Sequence, residues 1–194
     1  PTLKLKFMAK GCSDGWLDYD KLVEEESDHP IARDTAALDP MLMYFTSGTT
    51  GYPKMVLHDY TYALGHIITA RHWHNVDPDG LHLTVADTGW GKSVWGKLYG
   101  QWLCGTAVFV YDYEKFEPSD LIGKLEKYKV TTFCAPPTIY RFFIKGGMEG
   151  HDLSSLTYAT TAGEALNPEV FNRFKDYTGL ELMEGFGQTE TTLM

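Results

Sequence analysis

At 194 residues the chain is long enough for a core of its own, and 43% hydrophobic with 14% aromatic content excludes a disordered polymer. Lys and Arg number 17 against 26 Asp and Glu, a formal net charge of −9, so the basic footprint of a nucleic-acid binder is missing. Any anionic ligand must be held by local structure against that field.

Cys12, Cys104 and Cys134 are scattered and odd in number, which suits neither a disulfide framework nor a zinc site. A reducing, cytoplasmic setting is expected. No stretch reads as a signal peptide or as a bilayer span. The chain opens at Pro1 without an initiator methionine and stops at Met194 soon after a motif-like segment, so both ends read as cuts.

In chain order, Leu3 to Met8 has the pattern of a strand, and Glu24-Glu25-Glu26-Ser27-Asp28 that of a solvated acidic turn or helix end. From Met41 the pattern alternates. Strand-like runs stand at 41–46, 81–86, 106–111, 130–135, 156–162 and 180–186. Helical segments lie between them. Tyr60 to Trp73 and Val94 to Leu103 have weak caps. Ser119-Asp120 opens a helix with Leu121, Ile122, Leu125 and Tyr128 on one face.

Asn167-Pro168-Glu169 supplies an N-cap, a first-turn proline and a first-turn acid. Val170, Phe171, Phe174 and Tyr177 then share a face, and Gly179 stands at the expected stop. Strand and helix in alternation predict an α/β fold, with a mostly parallel sheet and helices on its faces. The punctuation Asn75 to Gly80 suggests a partial lobe over 1–75 and an α/β lobe over 76–194.

The chemistry concentrates at Thr46-Ser47-Gly48-Thr49-Thr50-Gly51-Tyr52-Pro53-Lys54, directly after the apolar run 41–45, read as a buried strand. Glycines let backbone N–H groups approach an anion, hydroxyls add uncharged donors, and Lys54 adds a mobile charge. The spacing is not that of a Walker A loop. No GxGxxG or GxSxG occurs either. A phosphate grip remains.

This loop resembles the phosphate loop of the adenylate-forming superfamily, which includes acyl-CoA synthetases, luciferases and peptide-synthetase adenylation domains. Two further segments agree in order and spacing. Thr161-Ala162-Gly163-Glu164-Ala165-Leu166 is similar to the family's adenine-binding turn, and Glu184-Gly185-Phe186-Gly187-Gln188-Thr189-Glu190 to its aromatic-Gly-Gln-Thr-Glu motif. Asp87-Thr88-Gly89-Trp90-Gly91 with the aromatic segment beyond it looks like the medium-chain acyl-CoA synthetases.

The resemblance implies the αβαβα N-terminal domain of those enzymes. It also implies ATP, Mg²⁺ and coenzyme A as cofactor and co-substrates, and a small carboxylic acid, expected to be a fatty acid, as substrate. Carried over, Thr46, Ser47, Gly48, Thr49, Thr50 and Gly51 would hold the triphosphate, with Lys54 as its charge. Gly163, Glu164 and Ala165 would meet the adenine, as would Glu184, Gly185, Phe186 and Gly187, Phe186 offering a flat face. Gln188 and Thr189 would donate to the α-phosphate and the adenylated carbonyl, and Glu190 would hold Mg²⁺. Trp90 and Gly91 would line the acyl pocket.

Tyr111-Asp112 and Ala135-Pro136-Pro137-Thr138 would build the same rim. Relatives continue past this motif to a ribose aspartate, a hinge and a small C-terminal domain with a catalytic lysine. The 194 residues are therefore expected to be a central piece that lacks that lysine-bearing domain and is inactive alone. Thr191-Thr192 departs from the family, where glycine is common.

Alternatives are an aryl-CoA or amino-acid activating relative, a nucleotide-binding piece without turnover, or a kinase-like NTPase that releases ADP. His72-Trp73-His74 reads as a helix end facing solvent rather than a metal site, for want of an acid or cysteine at ligand spacing. His58 has no assigned role.

Overall fold

The computed structural model describes residues 3–30, 34–46 and 51–193, and the chain divides into two compact units, Pro1–Thr35 and Ala36–Met194. In the first unit β1 (Phe7–Met8) pairs in parallel with β2 (Leu17–Asp18), and α1 (Tyr19–Glu25) follows. Asp18 caps α1 by accepting the Lys21 N–H at 3.2 Å. The helix ends just before Glu26, inside the expected acidic segment.

The second unit begins with an antiparallel hairpin, β3 (Pro40–Thr46) and β4 (Lys54–Asp59). The expectation of a buried strand at 41–46 needs correction here. Met43 and Phe45 face outward beside Leu57 and Met55, with Phe45 66% exposed, and Met41 with the alternate residues Leu42, Tyr44 and Thr46 is only partly covered. β3 pairs with β4 alone and lies apart from the main sheet.

Beyond it run α2 (Thr61–Ile68), extended by a wider π-helical turn through Thr69–Trp73, then β5 (Leu81–Thr84), α3 (Gly91–Trp95), α4 (Tyr99–Leu103) and β6 (Ala107–Val108). The helix expected at 60–73 is thus present, with its last turn widened, whereas the one expected at 94–103 is broken between Trp95 and Tyr99. α4 packs so closely on α2 that no room for a side chain is left between Gly100 and the His66 carbonyl.

The remaining elements are α5 (Pro118–Lys127), β7 (Thr132–Ala135), α6 (Pro137–Gly146), β8 (Tyr158–Ala162), α7 (Pro168–Thr178), β9 (Leu182–Gly185) and the short pair β10 (Gly187–Gln188) and β11 (Thr192–Leu193). α7 follows its sequence signals: Asn167 Oδ1 accepts the Glu169 N–H at 2.8 Å and the helix stops at Gly179. α6 was not expected. Pro137 at its first position needs no hydrogen-bond partner for a missing N–H, which makes it a starter rather than a breaker.

Five strands form one parallel sheet in the order β6-β5-β7-β8-β9. Its two faces differ in chemistry. Leu83, Phe133, Ala159 and Leu182 point to a core closed by Leu121, Leu125, Tyr140, Phe143 and Phe174 of α5, α6 and α7. Each large apolar side chain so buried contributes roughly 1.5–3 kcal/mol.

The other face carries His82, Thr84, Thr132 and Thr160, all buried, against the α2–π-turn and α3. Here polar groups pair with one another. His82 Nε2 donates to the Gly96 carbonyl at 2.8 Å, and its Nδ1 accepts from Thr132 Oγ1 at 2.7 Å. His74 stands 3.2 Å from Thr160 Oγ1 and is 1% exposed, so the expectation that the His72-Trp73-His74 helix end faces solvent fails at His74. The reason is the π-turn, which rotates His74 toward the sheet while His72 stays exposed.

Candidate functional site

A cavity of about 310 Å³ opens at the carboxyl ends of the parallel strands. Segments that leave β5, β7, β8 and β9 supply its walls: Trp90 to Lys92, Pro136, Ala162 to Glu164, and Gly187 to Thr189 with Thr192. Tyr44 of β3, Tyr62 of α2 and Trp95 of α3 close the remaining side. Open α/β sheets bind ligands at this edge, because successive loops diverge there and leave a crevice.

Local geometry places each part. After β5, Asp87 Oδ1 accepts the Gly89 N–H at 2.7 Å, and the Trp90 carbonyl accepts from Ser93 Oγ at 2.8 Å. The turn sets Trp90, 61% exposed, at the cavity wall as the N-cap of α3, whose last residue is Trp95, 7% exposed. Gly91 lies beside Tyr44, whose ring carbon would stand in ordinary contact, 3.7 Å, with an added Cβ.

After β8 the chain turns at Gly163, whose φ of +107° is open to glycine and strained for other residues. Both oxygens of Glu164 accept from Thr138 Oγ1 at 2.9 Å, and Arg141 stands 3.4 Å away. Glu184 Oε1 accepts the Leu166 N–H at 2.9 Å. The two carboxylates therefore brace the 163–166 turn, and Glu164 also lines the cavity. Ala165 is exposed on that turn.

After β9, Gly185 lies so close to Trp73 that an added Cβ would meet Cζ2 at 2.7 Å. Phe186 is 58% exposed and outside the cavity lining, while Gly187, Gln188 and Thr189 line it. Glu190 is exposed at the tip of the β10–β11 turn.

Of the phosphate loop, Thr46 and Lys54 are paired across the hairpin and so fix both feet of the loop. Gly51 has φ +91°, and Lys54 is exposed. Ser47, Gly48, Thr49 and Thr50 lie outside the described residues. Tyr111 departs from the expected rim: its hydroxyl bonds Asp120 on α5, and the hydrogen bond pushes its pKa up to about 12. Pro136 alone of the second rim segment reaches the cavity.

Several cavity residues had no clear sign in the sequence. Lys92 is 8% exposed, and its Nζ donates to the Ala162 carbonyl at 3.0 Å. A buried ammonium whose partner among the described residues is a neutral carbonyl has donors left for an anion, in a chain whose overall charge is −9. Behind it an aromatic and imidazole layer runs from Tyr62 through His66, Trp95 and His74 to His82. Burial first, then neighbouring histidine charge, pushes His66 down to about 4. Burial likewise brings His82 to about 4, and His74 well below its ordinary value.

As a donor set for Mg²⁺, the described residues offer Glu190 with the neighbouring threonine hydroxyls and no cluster of three acidic, histidine or cysteine side chains. That fits an ion held by one carboxylate and by substrate phosphates, the usual arrangement for magnesium.

A parallel sheet whose strand ends open on a cavity is the architecture of the N-terminal domains of adenylate-forming enzymes, and solved structures place the chain in that class. The chain superposes on an acyl-CoA synthetase from Brucella canis with a TM-score of 0.82 at 25% identity, over 93% of this chain and 33% of that one. For the anthranilate CoA ligase AuaEII, solved with anthranoyl-AMP, the TM-score is 0.82 at 24% identity, over 98% of this chain and 37% of that one, a likeness of fold. Residues 4–194 match the AMP-binding enzyme family, and the chain belongs to it.

Among curated relatives, the human acyl-coenzyme A synthetase ACSM4, mitochondrial, is 37% identical over all of this chain and 34% of its own length. Human ACSM3, mitochondrial, is 35% identical over 96% of this chain and 32% of its own. The chain thus spans about a third of the length of the curated relatives it matches.

Proposed function

We propose that the protein carrying these residues activates a carboxylic acid with ATP and transfers the acyl group to coenzyme A. A carboxylate oxygen attacks the α-phosphorus, the bond to the bridging oxygen breaks, and pyrophosphate leaves. The coenzyme A sulfur then attacks the acyl carbonyl, and AMP leaves. What carries the reading is one cavity that collects Trp90 and Gly91, Gly163 and Glu164, and Gly187 to Thr189 around a single space.

Two anions must meet in this reaction, so the protein's task is placement and neutralisation. The 46–54 loop and Lys54 would hold the β- and γ-phosphates, with Gln188 and Thr189 donating at the α-phosphate. The 163–165 turn and the 184–187 segment would receive the adenine. Lys92 would meet the carboxylate or the adenylate beside Trp90 and Trp95, whose aromatic walls exclude water from the acyl group. Magnesium, with Glu190 as its protein ligand, would supply charge neutralisation on the triphosphate.

The acid we favour is a fatty acid, on the likeness to the acyl-coenzyme A synthetases. We further propose that turnover needs residues beyond these 194, since the relatives are about three times as long. We also favour a lobe division near residue 75. For the compartment, three free cysteines favour a reducing setting, the cytoplasm or, on the relatives' printed names, the mitochondrion.

A panel of fatty, aryl and amino acids in a pyrophosphate-release assay on the longer protein tests the reading. Release with fatty acids supports it. Turnover of amino acids alone, or release of ADP, overturns it.

A further inference from the structure

β4 carries a histidine for which the proposed chemistry has no use. His58 lies four residues past Lys54 on the strand that returns from the phosphate loop, opposite Leu42 of β3. Its Nε2 stands 2.9 Å from the main-chain oxygen of Thr189, 131 residues away. A carbonyl oxygen only accepts, so Nε2 bears the hydrogen. The ring is clamped by Tyr62 at 4.3 Å and by Tyr44, edge-on, at 5.8 Å, and both tyrosines are cavity walls.

The partner segment is a tight turn that would otherwise be loosely held. The Thr191 N–H reaches the Gln188 carbonyl at 3.3 Å, and Thr192 adopts φ +63°. A β-branched residue in the left-handed region is disfavoured and persists where its surroundings hold it. The bond from His58 joins this turn to the hairpin whose tip is the phosphate loop.

We propose that His58 is a positioning residue. By donating Nε2–H to the Thr189 carbonyl, it fixes the 188–190 turn against β4. Gln188, Thr189 and Glu190 then address the same nucleotide as Lys54. The proposal rests on the adenylation reading and deepens it. Donors from two separate segments must act on one triphosphate at once, and a misplacement of about 1 Å can cost on the order of a hundredfold in rate.

Two variants separate the hydrogen bond from the packing. His58→Gln keeps a donor nitrogen at about the reach of Nε2, whereas His58→Phe keeps a ring and loses the donor. In the longer protein, carboxylate-dependent ATP–pyrophosphate exchange and hydrogen–deuterium exchange over 187–193 are measured together. We expect His58→Phe to lose about tenfold or more in exchange kcat, with the KM for ATP changed less than about threefold. Its 187–193 amides should exchange faster, and His58→Gln should stay close to the parent in both readouts.

A Phe variant equal to the parent, or a Gln variant that falls with it, overturns the proposal. If the Phe variant does not fold, His58→Asn, whose amide stops short of Thr189, takes its place. A parent without carboxylate-dependent exchange refutes the adenylation reading instead. Amide protection then decides the tether alone, and unchanged protection in the Phe variant overturns it.

Discussion

Lys92 shows how a single side chain changes the reading of a site. Its ammonium is buried, and among the described residues its one hydrogen-bond partner is the neutral Ala162 carbonyl, so an incoming carboxylate would complete its coordination. We expect Lys92→Met to lower kcat/KM for the acid by about tenfold or more, with Lys92→Arg retaining part of it. Initial rates at varied acid and saturating ATP check this, and a Met variant within twofold of the parent contradicts it. Gly185 makes a second claim at this scale. Its Cα faces Trp73, and Gly185→Ala would force the ring or strand aside, at a cost of about 1–3 kcal/mol in a urea melt. Gly163, Gln188 and Trp90 were legible in the sequence because motif spacing marks them. Lys92, Tyr44 and Tyr62 were not, since only the fold brings β3, α2 and α3 to one wall.

Among the elements, the parallel sheet was legible and its trimming was not. Each expected strand exists, but β6 shrinks to Ala107–Val108 because it lies at the sheet edge and pairs with β5 alone. α7 announced itself through Asn167-Pro168-Glu169, and both α5 and α7 did so through spaced apolar residues, although α5 starts at Pro118, one residue before the expected Ser119. The β3–β4 hairpin hid because its outward residues are as apolar as its inward ones, which erases the alternation.

The polar face of the sheet yields a pH dependence. Neutral His82 is held at about 4 against an ordinary 6.5, chiefly by burial. Between those values the unfolded chain binds a proton that the folded chain refuses, so stability falls as pH drops from 6.5 toward 4. His82 alone contributes about 3 kcal/mol to that loss. Thermal melts at pH 7 and pH 5 should show a smaller drop for His82→Gln than for the parent, and an equal drop contradicts the assignment. Asn167→Ala should cost about 1 kcal/mol through the lost α7 cap, measured in the same melts.

For the whole molecule, the acidic surface leaves anion binding to a few buried or loop-borne groups gathered at one edge of the sheet. Lys92 and the 187–192 turn meet in the cavity from distant parts of the sequence, and we propose that Lys54, at the foot of the β3–β4 hairpin, serves the same ligand. Residues 4–194 belong to the AMP-binding enzyme family, and the cavity is where we propose that its chemistry takes place. The direct measurement is carboxylate-dependent exchange of labelled pyrophosphate into ATP by the longer protein. We expect exchange that requires a fatty acid, is lost with Gln188→Ala and Lys92→Met, and leaves AMP rather than ADP as the nucleotide product. Exchange indifferent to the carboxylate and to both substitutions, or ADP as product, would contradict the assignment of this cavity to adenylate formation.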